Sequence, residues 1–325
     1  MKKKILIITT GGTIAMKYLP DRGLVPTSDL VDFLHSFPQL SNVANVEVFE
    51  FSNVPSPFMT PQKMLELARV VDLRIVDFDG IVITHGTDTL EETSYMLDLV
   101  LTTRKPVVFT AAMRSGSDLG LDGPRNIVGA VRVASHAESI DKGVLVVMND
   151  EILTAVDVLK YHTGKIESFD SPEYGIIGIV DPDEVIFHWQ INRRDHVWTD
   201  RIDTRVDLLR AVAGMDGRFI EAAVAGGARA IVIEAFGRGN LPPDVIPAIE
   251  AALNAGVLVV VVSRAYTGRV LPEYGYEGGG MMLQQMGCIL GGNAKGHKAR
   301  IKLMCLFGKY DDAELVRKFY LNSLR

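Results

Sequence analysis

Cysteine is scarce in this chain: Cys288 and Cys305 are the only two among 325 residues. Two thiols build neither a disulfide framework nor the paired ligands of a structural zinc site, and they suit a reducing compartment. The seven histidines, at 35, 85, 136, 162, 188, 196 and 297, form no H-E-x-x-H pattern, so no metal is expected. No run approaches the ~18 consecutive apolar residues of a membrane span, so no membrane partner is expected. Long basic runs are missing too, and a net charge of −6 argues against a nucleic-acid surface. There is no G-x-S-x-G elbow, no P-loop lysine and no complete G-x-G-x-x-G, which leaves the serine-hydrolase and nucleotide readings without a motif.

What the chain does have is apolar sequence in short, regular portions. Hydrophobic residues make up 47% and charged residues 23%, the balance of a globular protein. At 325 residues it exceeds one typical core, so two domains are the starting expectation. Met1-Lys2-Lys3-Lys4 followed by Ile5 to Ile8 has the outline of a secretory leader. Its apolar core is too short and no small-residue cleavage site follows, so the expectation is a first strand in a cytoplasmic protein.

The most informative stretch is Ile5 to Ala15, ILIITTGGTIA. A continuous apolar run ended by two glycines predicts a buried strand feeding a tight turn. Without a Cβ, Gly11 and Gly12 can take φ > 0 and let the backbone approach a ligand closely. Thr13 then sits at the strand's carboxyl end, where open α/β sheets place their ligands; a turn-capping role would also account for it.

Strand-like runs then alternate with helix-length segments. Strands are expected at 46–51, 80–84, 106–110 and 143–148, and helices over 61–77, 89–101 and 126–135. That alternation predicts βαβ units and a mostly parallel sheet. The polar stretch 188–204 breaks the pattern and reads as a strand edge plus linker. Alternation resumes with strands at 206–210, 230–235 and 257–263 and helices near 219–225, 245–254, 293–306 and 311–324. The expected fold class is therefore α/β: a larger N-terminal domain (1–190) with a mostly parallel or mixed doubly wound sheet, a linker (191–204), and a smaller flavodoxin-like domain (205–325).

A second stretch, Ile81 to Thr93 (IVITHGTDTLEET), repeats the first motif's logic. A buried strand ends at small and polar residues and a helix follows directly. Thr89 and Glu92 have capping-box spacing, which gives Thr89 a structural role. Thr87 and Asp88 need no such role. His85, on an apolar strand end, reads as a core histidine. Two strands thus each deliver a threonine to one sheet edge, and a hydroxyl nucleophile needs a neighbour that accepts its proton.

TTGGTIA at 9–15 and ITHGTDTLEET at 83–93 together resemble the two signature motifs of the bacterial-type L-asparaginase family. KPVVFTAAMR (105–114), DGP (122–124), GVLVVMND (143–150), DVLK (157–160) and SPEYG (171–175) follow in order. The resemblance implies hydrolysis of L-asparagine to L-aspartate and ammonia without a cofactor. It implies that Thr13 is the nucleophile and that Thr87, Asp88 and Lys160 form a second catalytic cluster. Ser56 would hold the substrate α-carboxylate, Asp88 its α-ammonium, and Ala112 would offer a backbone carbonyl near the amide nitrogen. Gly12 and Gly86 would line the substrate site. The resemblance further implies a homo-oligomer, dimer or tetramer, in which Asn240 and Glu277 are lent by a neighbouring subunit; the apolar, Gly-rich stretch Tyr274–Met282 suits such a contact.

The residue chemistry agrees. A surface lysine titrates near about 10.4, but Lys160 desolvated in a cleft would serve as a base, with Asp88 opposing that shift. Turn amides around Gly12 and Thr87 suit an oxyanion, each worth about 3 kcal/mol if well aimed. Competing readings are a glutaminase-asparaginase, a subunit of a tRNA-dependent amidotransferase, and a non-catalytic amino-acid binder. The amidotransferase subunit carries an extra N-terminal domain ahead of the strand that begins here at Ile5. A binder would need Asp88 and Ser56 but not Thr13, Thr87 and Lys160 together.

Two departures from the family pattern stand out. Pro57 follows Ser56 where several relaxed-specificity relatives carry Gln, which predicts preference for asparagine. Relatives also place a tyrosine in a Gly-Tyr-x-Pro context on a loop after the first motif; here the segment is Gly23-Leu24-Val25-Pro26. Tyr18 is the tyrosine left on that loop and is expected to substitute as proton acceptor for Thr13, the loop closing as a lid.

Overall fold

Ile5, Leu6, Ile7 and Ile8 are at most 2% exposed, which a strand achieves only inside a sheet covered on both faces. Each contributes about 1.5–3 kcal/mol by leaving water. The protein, a computed structural model, is described over residues 2–19, 21, 23–26, 38–191 and 194–322. It divides into two compact units, Met1–His196 and Val197–Arg325.

The first unit runs β1 (Lys4–Gly11), β2 (Met16–Leu19), β3 (Gly23–Pro26), α1 (Pro38–Val43), β4 (Asn45–Val54), α2 (Pro61–Arg74), β5 (Gly80–Thr84), α3 (Leu90–Val100), β6 (Val107–Thr110) and α4 (Gly123–Ser135). After these come β7 (Val144–Met148), β8 (Glu151–Thr154), β9 (Leu159–Lys160), β10 (Phe169–Asp170), β11 (Gly178–Val180) and β12 (Val185–Phe187). Eight strands form one sheet in the order β12-β11-β8-β7-β6-β5-β1-β4. From β4 to β7 every pair is parallel, and β8, β11 and β12 close the edge antiparallel. The chain leaves β1 for β4 on one side, then crosses back to β5 on the other. The strand order therefore reverses at β1, and the crevice beyond the carboxyl ends of β1 and β5 is the sheet's switch point.

The second unit is a four-stranded parallel sheet, β13 (Val206–Arg210), β14 (Ala230–Ala235), β15 (Leu258–Ser263) and β16 (Ile289–Leu290), in sequence order. Its helices are α5 (Arg218–Ala225), α6 (Ile246–Asn254), α7 (Gly280–Met286), α8 (Gly296–Lys309) and α9 (Ala313–Asn322). The architecture is the expected one: a large mixed α/β sheet domain and a smaller parallel one.

Local expectations and the structure differ in several places. No strand lies among the described residues of 188–204; Arg194 instead ties this coil inward by donating to Asp98 at 2.8 Å. The Gly-rich stretch Tyr274–Met282 runs into a helix, Gly280–Met286, while Tyr274, Tyr276 and Met281 ahead of and within that helix remain 41%, 55% and 40% exposed. The helix expected from Asn293 starts at Gly296, after a turn. The segment after the first motif, read as a loop, is a hairpin whose register pairs Tyr18 with Leu24. Leu324, the expected end of the last helix, lies outside the described residues.

Candidate active site

The turns after β1 and β5 meet at the switch point, backbone against backbone. Gly12 adopts φ +86°, and a Cβ built there would lie 2.4 Å from Gly86 Cα. On Gly86 a Cβ would come within 2.6 Å of the Ser56 Cβ. Only glycine fits at either place, and each glycine is followed directly by a threonine. Thr13 opens a single turn of 3₁₀ helix, Thr13–Ala15, and is half-buried. Ile14 behind it packs toward Gly123 at the start of α4.

Ser56 is buried, and its Oγ accepts the Asp88 N–H at 3.2 Å. Its carbonyl accepts the Thr89 hydroxyl at 2.8 Å. This overturns the capping-box reading: Thr89 is the N-cap residue of α3, but its side chain makes no capping bond. The hydroxyl is spent on joining the second motif to Ser56.

Lys160 completes the cluster from β9. Its Nζ donates to Thr87 Oγ1 at 2.8 Å and to Asp88 Oδ1 at 2.6 Å. The lysine side chain is 16% exposed and that of Asp88 58%, so the ion pair opens to solvent on its carboxylate side. Two carboxylates that the sequence reading did not single out hold this two-residue strand in place. Glu91, in the first turn of α3, accepts the Lys160 backbone N–H at 2.7 Å. Asp157, 4% exposed, accepts the Ser171 hydroxyl at 2.6 Å and the Glu173 and Tyr174 amides at 3.0 and 2.8 Å. DVLK and SPEYG both carry the family resemblance, but the bonding of Asp157 to residues 171, 173 and 174 is a tertiary fact.

Ala112 lies just past β6 and is buried. Asn126 Nδ2 holds the Ala111 carbonyl at 2.9 Å, and Asp122 holds the Met113 and Arg114 amides at 2.9 and 3.0 Å. The chain is thereby fixed on both sides of Ala112. His85 is fully buried, and burial pushes its pKa down to about 4, so the ring is neutral. Its Nδ1 faces the Gly86 carbonyl at 2.7 Å. Nε2 has no partner among the described residues, so the expected core histidine is only half satisfied.

Asn240 and Glu277 belong to the second unit, Asn240 at a bridge with Phe236 and Glu277 exposed. The backbone of Tyr18 is described in β2, and its side chain lies outside what is described. No group of three or more His, Cys, Asp or Glu among the described residues is arranged to hold a metal ion. No helix among them is long and apolar enough to cross a membrane.

Residues 4–193 match the family model described as "Asparaginase, N-terminal", and residues 205–320 match "Glutaminase/Asparaginase C-terminal domain". The chain belongs to the asparaginase family. An L-asparaginase of Bacillus licheniformis is 37% identical, covering 96% of this chain and 98% of its own. A glutaminase-asparaginase of Pseudomonas aeruginosa is 34% identical over 81% of this chain and 76% of its own. The crystal structure of a probable cytoplasmic L-asparaginase from Campylobacter jejuni superposes with a TM-score of 0.88 at 30% identity, covering 98% of this chain and 99% of that one. Membership of this amidohydrolase family makes the cleft at the asparaginase switch point the place to look for amide hydrolysis.

Proposed function

We propose that this asparaginase-family chain hydrolyses L-asparagine to L-aspartate and ammonia, with Thr13 as nucleophile. The observation that carries the reading is the Lys160–Thr87–Asp88 contact standing beside the Gly12–Gly86 junction, so that both threonines flank one crevice. Thr13 Oγ attacks the side-chain amide carbon. The amide oxygen, gaining charge, is met by backbone N–H groups of the two turns. The proton released from Thr13 is passed through Tyr18 to the amide nitrogen, which leaves as ammonia on collapse, and an aspartyl ester remains on Thr13. Water then attacks the ester, frees L-aspartate and restores the hydroxyl.

Lys160 donates into Thr87 Oγ1, so the Thr87 hydroxyl proton is directed away from the lysine and toward the reacting groups. Asp88 holds Lys160 on one side and is open on the other, where the substrate α-ammonium binds. Ser56 receives the α-carboxylate, Ala112 offers its carbonyl to the amide nitrogen, and Gly12 and Gly86 form the wall of the site. Tyr18 accepts the Thr13 proton. Its support is the hairpin register, which pairs position 18 with position 24, where the family's tyrosine is expected.

Several further readings go with this one. The relatives' names support asparagine, and the glutaminase-asparaginase among them supports relaxed specificity as the alternative. The chain acts as a homo-oligomer, dimer or tetramer, with Asn240 and Glu277 lent across a subunit boundary, and a fully active monomer in light scattering would contradict this. It works in the cytoplasm, as the name of its structural neighbour and its few thiols suggest. Its domains are 1–190 and 205–325, joined by 191–204. The reaction itself is tested on EDTA-treated protein: ammonia and aspartate should appear one for one from L-asparagine. A requirement for added divalent ion would overturn the cofactor-free mechanism.

A further inference from the structure

We infer that His85 is a positioning residue that aims the Thr87 amide N–H at the oxygen of the scissile amide. The inference rests on the reading of the chain as an L-asparagine hydrolase.

Gly86 stands under two conflicting demands. Close approach of Gly12 and Ser56 leaves no room for a Cβ at this position, so glycine is required. Glycine is also the residue least able to fix its own peptide plane, because no side chain restricts φ and ψ. The Gly86–Thr87 plane is the one that must be fixed if the Thr87 N–H is to serve as an oxyanion donor. An external restraint is needed, and His85 supplies it.

A carbonyl has no proton to give, so in the 2.7 Å contact Nδ1 carries the hydrogen and donates to the Gly86 oxygen. The ring itself is enclosed. It is fully buried, its backbone N–H bonds the Thr110 carbonyl at 2.9 Å as an extension of the sheet, and Phe109 lies against it at 5.9 Å between centroids. The chain contains no cis peptide bond among the described residues, and in a trans peptide the C=O and the following N–H point in opposite directions. Turning the Gly86 oxygen in toward the histidine therefore turns the Thr87 N–H out. No acceptor among the described residues takes that N–H.

Burying an imidazole with Nε2 unpaired is unfavourable, and a leucine at 85 would avoid it. The bond to Gly86 is what the histidine adds over a leucine. Asparagine can reproduce that bond because its Nδ2–H sits at the same distance along the side chain as Nδ1–H. Glutamine extends its amide one carbon further and cannot.

The test is steady-state kinetics of L-asparagine hydrolysis, with thermal midpoints, on wild type, His85→Leu, His85→Asn and His85→Gln. Losing an aimed oxyanion donor costs about 10²–10³ in kcat, and misaiming one costs part of that. The expected result is a fall of ~10–100-fold in kcat for Leu and Gln with KM within about threefold. Asn should restore kcat to within about fivefold of wild type. If Leu fails to fold, the Asn-against-Gln comparison alone decides. Asn and Gln with the same kcat, or a folded Leu variant within threefold of wild type, would overturn the inference while leaving the reaction in place. Wild type that releases no ammonia from L-asparagine overturns both.

Discussion

Gly12 and Gly86 touch backbone to backbone, and the two threonine motifs are thereby brought together with no side chain between them. A methyl group at Gly12 would collide with Gly86 Cα at 2.4 Å and would also sit on a residue with φ +86°. Neither turn can retreat cheaply, because both are the ends of paired strands. Gly12→Ala should therefore lower kcat/KM by at least ~100-fold and reduce the thermal midpoint, the scale of a shift of about 1 Å at the reacting atoms. Wild-type kinetics and melting in this variant would mean that the contact does not position the threonines.

Tyr18→Phe keeps the ring and removes the hydroxyl. If Tyr18 accepts the Thr13 proton, kcat should fall by ~100-fold or more with folding intact. A rate within about threefold of wild type, under about 1 kcal/mol in the barrier, would mean that another group activates Thr13.

Substrate choice follows from what lies beside Ser56. Pro57 has no backbone N–H to offer the longer amide. One methylene in a fitted pocket is worth about 1–3 kcal/mol, so kcat/KM for L-asparagine should exceed that for L-glutamine by about 10–200-fold. Comparable values for the two amides would favour the glutaminase-asparaginase alternative.

His85 also makes a pH prediction. Burial pushes its pKa down to about 4 in the folded state, against 6.5 when exposed. Between these values the unfolded chain binds a proton that the folded chain does not. The stabilisation is complete above pH 6.5 and is lost as pH falls toward 4, by up to about 1.4 kcal/mol per pH unit. His85→Asn has no proton to take up. Its denaturant midpoint should fall less steeply than that of wild type between pH 6.5 and 4.5, and parallel curves would contradict the assignment.

Much of this was legible in the sequence for identifiable reasons. Runs such as Ile5–Ile8 and Ile81–Ile83 are apolar on both faces, as in a doubly covered parallel sheet, and the TTGGTIA and HGTDT motifs lie at their ends. The short antiparallel strands β9 to β12 escaped because two or three residues carry no period. Thr89 misled because capping-box spacing is a local signal, whereas the hydroxyl is claimed by Ser56, 33 positions away. Glu91 and Asp157 leave little mark on residue types because, the Ser171 hydroxyl apart, the partners named for them are backbone amides.

The central claim is that Thr13 attacks the amide, and ammonia release by Thr13→Ala tests it most directly. Assayed beside wild type on EDTA-treated protein with L-asparagine, the variant should keep the wild-type thermal midpoint and lose at least ~100-fold in kcat. A folded Thr13→Ala enzyme releasing ammonia within about threefold of the wild-type rate would contradict the account.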